Sequence, residues 1–516
     1  MKIKLCSDFR CGAFSSNLNA PTLEVGGGQG SVGEGYLNPS ANSVIVVGVG
    51  GYRSTRGQVV DERWLGNAVT AASRFALACG IGIAACGDGA SAPGNATSVI
   101  FVNARVVTMA PDGREADAIA IEGDRIRAVG SRSELMPLAG PRTRVIDLGG
   151  RTILPGIVDA HTHVFNDAEQ HLNLDLAGAQ TLALENGITT LGDPFITEEF
   201  LAQMRAFDAA GDLRIRTSLY LIHTDNCGVE HAGTWWTAYP PTRAAGERLR
   251  IGGIKLFADG GTCGWPAVSV EFDPRGGLGD LYLTADDIAP VVAIAEATGH
   301  QVVIHAIGDR AVAAAQDGIE RALGGRPNTR RHRIDHNSVV PPDLLPRYAA
   351  IGIHPVLFGW SSFGTCGAPA PPDFYQAYNG DTRALLDSLR GLHVAWQGDD
   401  PWVGPISPFA ELHNMVTRVS HFDDGTECPA PDWQLHTRIT AVEGLRMMTW
   451  NSAFALFREA EVGSLEPGKF ADLIVVSADP LVVEPAALWS IQVLVTMVGG
   501  EVVFCRTGYG SLCPRL

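Results

Sequence analysis

Gly156-Ile-Val-Asp-Ala-His161-Thr-His163 is a short apolar run that ends on two histidines, two positions apart. In a β-strand, residues i and i+2 point to the same face, so the run sets two imidazoles side by side at a strand end. An isolated His-x-His is more readily a polar strand end than half of an ion site, so its meaning depends on the rest of the chain.

Downstream the pattern repeats. Short apolar runs recur at 157–163, 188–193, 215–222, 253–257, 301–305, 333–336, 352–357 and 394–398, with helical periodicity between several of them, as at 288–297 and 310–323. Eight strand–helix units in about 300 residues predict an α/β fold, a (β/α)8 TIM barrel and not an open doubly wound sheet. No Gly-x-Gly-x-x-Gly follows the first strand, which argues further against a nucleotide-binding sheet.

Outside that block the periodicity changes. Residues 98–151 and 460–508 hold β-rich runs divided by Gly, Asp and Pro turns, and Gly499-Gly500 reads as a two-residue hairpin turn. The first set reads as a small antiparallel sheet. The economical arrangement is one β-sandwich built from both chain ends, with a barrel over residues 152–459 inserted in it. Residues 1–97 read as a poorly ordered leader and tether, rich in Gly, Ser and Asn over its first part. Within it, Arg74, an apolar run and Ile83-Ala-Ala-Cys86 resemble a lipoprotein signal over 69–86, with Cys86 as the lipidated residue. Its position far from Met1 leaves two readings: a later true start, or an accidental likeness. The first places the protein in the periplasm or on a membrane through a lipid anchor, the second in the cytoplasm.

Composition excludes other classes. The chain has 516 residues, 46% hydrophobic and 18% charged, with a formal charge of −17. That is a globular composition, and its sign repels nucleic acid. No apolar stretch reaches the roughly 18 to 20 residues that cross a bilayer. None of the 10 cysteines forms a C-x-x-C pair. If the chain is exported, Cys227 with Cys263 and Cys505 with Cys513 are pairs open to cross-linking. The sequence does not fix the oligomeric state and leaves a homodimer open.

Barrels carry their chemistry at the C-terminal ends of their strands. There the chain places His161 and His163, Lys255 in an otherwise apolar run, His305, His336 and the pair Asp399-Asp400. Singly, each has an ordinary structural explanation. Together, four histidines, a lysine and an aspartate on one rim are costly unless they bind something.

Leu154-Pro-Gly-Ile-Val-Asp-Ala-His-Thr-His163, Gly253-Ile-Lys-Leu-Phe-Ala-Asp-Gly260, Ile304-His-Ala-Ile-Gly-Asp-Arg310, Arg333-Ile-Asp-His336, Gly398-Asp-Asp400 and Gly463-Ser-Leu-Glu-Pro-Gly-Lys-Phe-Ala-Asp-Leu473 resemble the amidohydrolase superfamily. The likeness spans roughly residues 98–505 and points to the branch that includes N-substituted formamide deformylase. It implies one or two divalent metal ions, most readily zinc, with His161, His163 and Asp400 on one ion and His305 and His336 on a second. It also implies a CO2-derived carbamate on Lys255 bridging a binuclear centre, and hydroxide formed on the metal as nucleophile, with Asp400 as the catalytic proton shuttle. Asp399 is the alternative to Asp400. The implied activity is hydrolysis of non-peptide carbon–nitrogen bonds (amide, N-acyl or N-formyl) in a small-molecule substrate. Esterase or lactonase chemistry, deamination and a catalytically silent binding barrel are the alternatives. Deaminating relatives carry a Glu where this chain has Gly308, which weighs against deamination. His223, Trp265, Phe358, Trp360 and Trp402 lie on or just after strand ends and are the candidate pocket walls.

Overall fold

A computed structural model of the chain describes residues 98–513, except for 112, 114, 272–276, 360–372, 374, 375, 377–384, 388–391, 403, 422–425 and 430. The leader, the signal-like segment, Cys86 and Trp360 lie outside the described residues. Among those described, no helix is long and apolar enough to cross a membrane.

Eight parallel strands, Ile157–Asp159, Ile188–Ile196, Arg216–Ile222, Leu249–Phe257, Gln301–Ala306, Arg333–His336, His354–Phe358 and Ala395–Gln397, lie side by side in chain order. The first and last meet through Ala160 N–H, which donates to Trp396 O at 3.2 Å, so the sheet closes into a TIM barrel. Helices such as Ala285–Thr298 and Asp309–Leu323 pack outside it. On Asp309–Leu323 the buried residues Val312, Ala315, Ile319 and Leu323 recur every three or four positions, and this stripe seats the helix on the sheet.

Two further sheets flank the barrel sequence. One has four strands, with Val99–Val102 between Ala118–Glu122 and Arg144–Asp147, and Arg125–Gly130 at its edge. The other has six, and in it the late strand Leu473–Val476 pairs antiparallel with the early strand Thr152–Pro155. The sheets share a buried core that includes Phe101, Ile121, Val475 and Met497. The expected small antiparallel sheet is in fact mixed: Val99–Val102 runs parallel to Arg144–Asp147, and Arg105–Val107 parallel to Thr152–Pro155. More than 30 residues separate these partners, enough for the crossover that a parallel pair requires. The Gly499-Gly500 turn joins Val493–Val498 to Glu501–Cys505, with φ of 58° and 77° at the two glycines.

Both cysteine pairings named from the sequence are present, as the disulfides Cys227–Cys263 and Cys505–Cys513. Arg216, near the start of the third barrel strand, meets Asp472 just before Leu473–Val476 in a buried two-point ion pair, Nε–Oδ2 2.7 Å and Nη2–Oδ1 3.1 Å. Asp472 Oδ1 also accepts Gly499 N–H at 2.7 Å. One carboxylate thus ties the barrel to the six-stranded sheet.

Candidate metal centre

The first barrel strand stops at Asp159, two residues before the histidines. Asp159 Oδ1 accepts the His161 N–H at 3.0 Å, and its carboxylate also takes the Gly398 N–H at 3.2 Å, which turns the chain out of the strand. Past that turn, the first and eighth strand ends run together. Asp399 N–H donates to His161 O at 2.9 Å, and His163 N–H donates to Asp400 O at 2.7 Å. This seam brings Asp399 to the histidine pair: its Oδ1 lies 3.2 Å from His161 Nε2 and 3.1 Å from His163 Nε2. The three donor atoms lie within 4.8 Å of one another.

The expected carboxylate was Asp400. The structure turns Asp399 toward the pair, because φ at Asp399 is +56° and this left-handed kink reverses which neighbour faces the cavity. Asp400 is directed into the protein, where burial, reinforced by Glu411 and Asp159, pushes its carboxyl well above the usual range. Asp399 is more open, its side chain 15% exposed, and the imidazoles of His161, His163 and His336 hold it well below that range.

His336 reaches the site by a similar device. Strand alternation sends Arg333 and Asp335 into the barrel, and the next side chain should face outward. A φ of +79° at His336 swings it back, so its ring centroid lies 4.4 Å from that of His305 and 4.9 Å from that of His161. Left-handed backbone at a bulky residue costs of order 1–3 kcal/mol and persists where the surroundings impose it. Lys255 Nζ, on the fourth strand, stands 3.5 Å from His161 Nε2. Burial lowers Lys255 to about 8.

Further side chains orient these rings. His161 Nδ1–H donates to Asp335 Oδ2 at 2.7 Å, and Arg333 donates to the same oxygen at 3.1 Å. His163 Nδ1–H donates to Asn166 Oδ1 at 3.0 Å, and the Gln397 side-chain amide lies 2.7 Å from His336 Nδ1. His161 and His163 therefore present Nε2 to the same point. His336 Nε2 is buried without a hydrogen-bond partner. A buried, unpartnered imidazole nitrogen beside two others and a carboxylate is costly alone and suited to a divalent cation, so the donor set fits such an ion.

The cavity above these groups has a volume of about 260 Å³. His161, His163, Lys255, His305, His336 and Asp399 line its floor, and Phe195, Phe257 and Trp402 its walls. Trp402 Nε1–H donates to Asp167 Oδ2. Three other candidates lie elsewhere. Phe358 stacks on His336 at 5.0 Å, His223 accepts from Trp236 Nε1 at 3.3 Å, and the Trp265 N–H donates to Asp280. None of these three lines the cavity among the described residues. Sequence reading missed Phe195, Phe257 and Asp335. Phe257 was legible, two positions after Lys255 and hence on the same strand face. Asp335 was hidden by its neighbour His336.

This barrel, with histidines, a lysine and an aspartate at its strand ends, defines a metal-dependent hydrolase architecture. The chain belongs to the amidohydrolase family, whose model matches residues 172–504. It is 27% identical over 332 residues to N-substituted formamide deformylase of Arthrobacter pascens, covering 62% of this chain and 58% of that protein. The match therefore spans less than two thirds of the deformylase. It is 25% identical over 418 residues to enamidase of Eubacterium barkeri, covering 76% of this chain and 91% of that protein. Among solved structures, atrazine chlorohydrolase of Arthrobacter aurescens, complexed with zinc, superposes with a TM-score of 0.54 at 18% identity, over 81% of this chain and 96% of that one. At that identity the likeness shows the fold.

Proposed function

We propose that the protein is a divalent-metal-dependent hydrolase of non-peptide carbon–nitrogen bonds, acting on N-acyl or N-formyl amides with an apolar or aromatic substituent. One observation carries this reading: His161, His163, His305, His336, Lys255 and Asp399 converge on the floor of one cavity. The relatives named deformylase and enamidase support the bond type.

His161, His163 and Asp399 would hold one cation, and His305 and His336 a second, with Lys255 between them as a carbamate. A cation there supplies Lewis acidity, making water a better nucleophile at neutral pH and polarising a carbonyl. Asp399 Oδ1 faces the histidine pair, which leaves Oδ2 to take a proton from the attacking water and return it to the leaving nitrogen. Phe195, Phe257 and Trp402 seat the apolar substituent and exclude water. Zinc suits the imidazole and carboxylate donors. The two disulfides support an exported protein, which mass spectrometry of the mature N-terminus checks.

A panel of N-formyl, N-acyl and cyclic amides, with metal quantified in the same preparation, tests the activity. Turnover of at least one amide with one or two equivalents of metal is expected. Absence of both metal and turnover overturns the reading. A second expected result concerns Asp335. Asp335→Asn keeps its size and removes the charge that orients His161, and should weaken metal binding about 10- to 100-fold by competition with a chelator.

A further inference from the structure

The disulfide Cys227–Cys263 joins the loop after the third barrel strand to the loop after the fourth, across 36 positions. Immediately before each cysteine stands a residue that lines the cavity, Asn226 and Thr262. The two side chains are bonded, Asn226 Nδ2–H donating to Thr262 Oγ1 at 3.1 Å. Two further contacts fix this rim. Asp225 Oδ1 accepts the Cys227 and Val229 N–H groups at 2.9 and 2.8 Å, holding the first loop in a tight turn. In the second loop, a Cβ on Gly261 would lie 2.9 Å from Ile307 Cδ1 and 3.2 Å from His305 Cε1, so the backbone before Thr262 passes close to that imidazole.

The pair therefore stands at a set position beside the reacting groups. Its hydrogen-bonding inventory is specific. Asn226 commits an N–H to Thr262, which leaves the Asn226 carbonyl oxygen as acceptor and the Thr262 hydroxyl as donor. No other described residue has a bond to either group. The Asn226 acceptor, held by Thr262, suits the N–H of a secondary amide.

We propose that the disulfide-clamped pair Asn226–Thr262 positions the substrate, Asn226 Oδ1 accepting the N–H of a secondary amide while Thr262 holds Asn226 in register. The proposal rests on the amide-hydrolase reading and names its substrate class: N-monosubstituted amides are preferred over N,N-disubstituted ones. Asn226 and Thr262 are positioning residues, and the disulfide fixes the separation of their loops.

The test compares N-phenethylformamide with its N-methyl derivative, which lacks the N–H, on the metal-loaded enzyme. Asn226→Leu and Thr262→Val should each raise KM for the secondary amide about tenfold, the effect of one lost hydrogen bond, with kcat within about twofold and metal content unchanged. Neither variant should alter KM for the N-methyl compound, and Thr262→Ser should restore the wild-type value. The double variant Cys227→Ser/Cys263→Ser should behave like Asn226→Leu, whereas Cys505→Ser/Cys513→Ser should not. An unchanged KM for the secondary amide, or an equal loss on both compounds, overturns the proposal. If the wild-type enzyme turns over neither of these compounds nor any amide of the panel, and binds no metal, the amide-hydrolase reading is what fails. The pair is then judged by dissociation constants from quenching of tryptophan fluorescence, Trp402 lying in the same cavity. Equal constants for wild type and variants overturn it.

Discussion

Asp399→Asn should lower kcat about 10³-fold, within the 10² to 10⁴ range of general acid–base catalysis, and reduce bound metal in the same sample. Asp400→Asn should cost less than about tenfold. The contrast follows from where the two carboxylates point. Asp399 Oδ1 lies 3.1 to 3.2 Å from two imidazole nitrogens and is held ionised by them. Its amide would offer neither the charge nor a proton-accepting oxygen. Asp400 faces Glu411 and Asp159 in the interior, where burial favours its neutral acid, and asparagine is close to that acid in shape. Its contribution to the seam is a backbone carbonyl, which the substitution keeps. Steady-state kinetics with metal analysis on both variants decides the matter, and equal losses would return the proton-transfer role to Asp400.

The second large effect is on stability. Asp472→Ala should destabilise the fold by about 3–5 kcal/mol, the cost of leaving one partner of a buried ion pair uncompensated. Arg216 and Asp472 are both almost fully buried, and loss of the carboxylate strands the guanidinium and the Gly499 N–H together. Denaturant unfolding followed by circular dichroism measures the change. A loss below about 1 kcal/mol would mean that water reaches Arg216 in the variant. The double replacement Arg216→Met/Asp472→Leu should recover much of the loss, since a well-packed apolar pair can substitute for a buried ionic one.

The barrel was legible because its evidence is repetitive. Eight apolar runs within about 300 residues, with helical periodicity between several of them, specify one closed parallel sheet, and an error at any single strand leaves the pattern readable. The rim was legible for the same reason: every histidine of the floor closes or follows a run. What local sequence did not show was direction. Alternation assigns Asp335 to the interior and His336 to the outside, and a single positive φ reverses the second assignment. The same reversal separates Asp399 from Asp400, adjacent and chemically identical in the sequence. Side-chain direction at a kink depends on bonds to a strand end more than 200 residues away, as between Thr162 and Asp400. Part of the wall escaped for a related reason: Asn226 reaches the cavity from a loop whose path periodicity does not describe, and Phe195 lies at the end of the second barrel strand, past the apolar run 188–193.

The seam between the first and eighth barrel strands also bears on the order in which the molecule matures. Thr162 Oγ1 donates to Asp400 O across 238 positions of sequence, and the histidine pair meets its carboxylate only where that seam is shut. Contacts so distant along the chain are slow to form, because the intervening loop must close first. The ion-binding geometry is therefore assembled late, and an ion that binds it draws the closing equilibrium forward. A chain loaded with the ion should therefore refold to the closed barrel in higher yield than one refolded with a chelator, and equal yields would show that the seam closes without it.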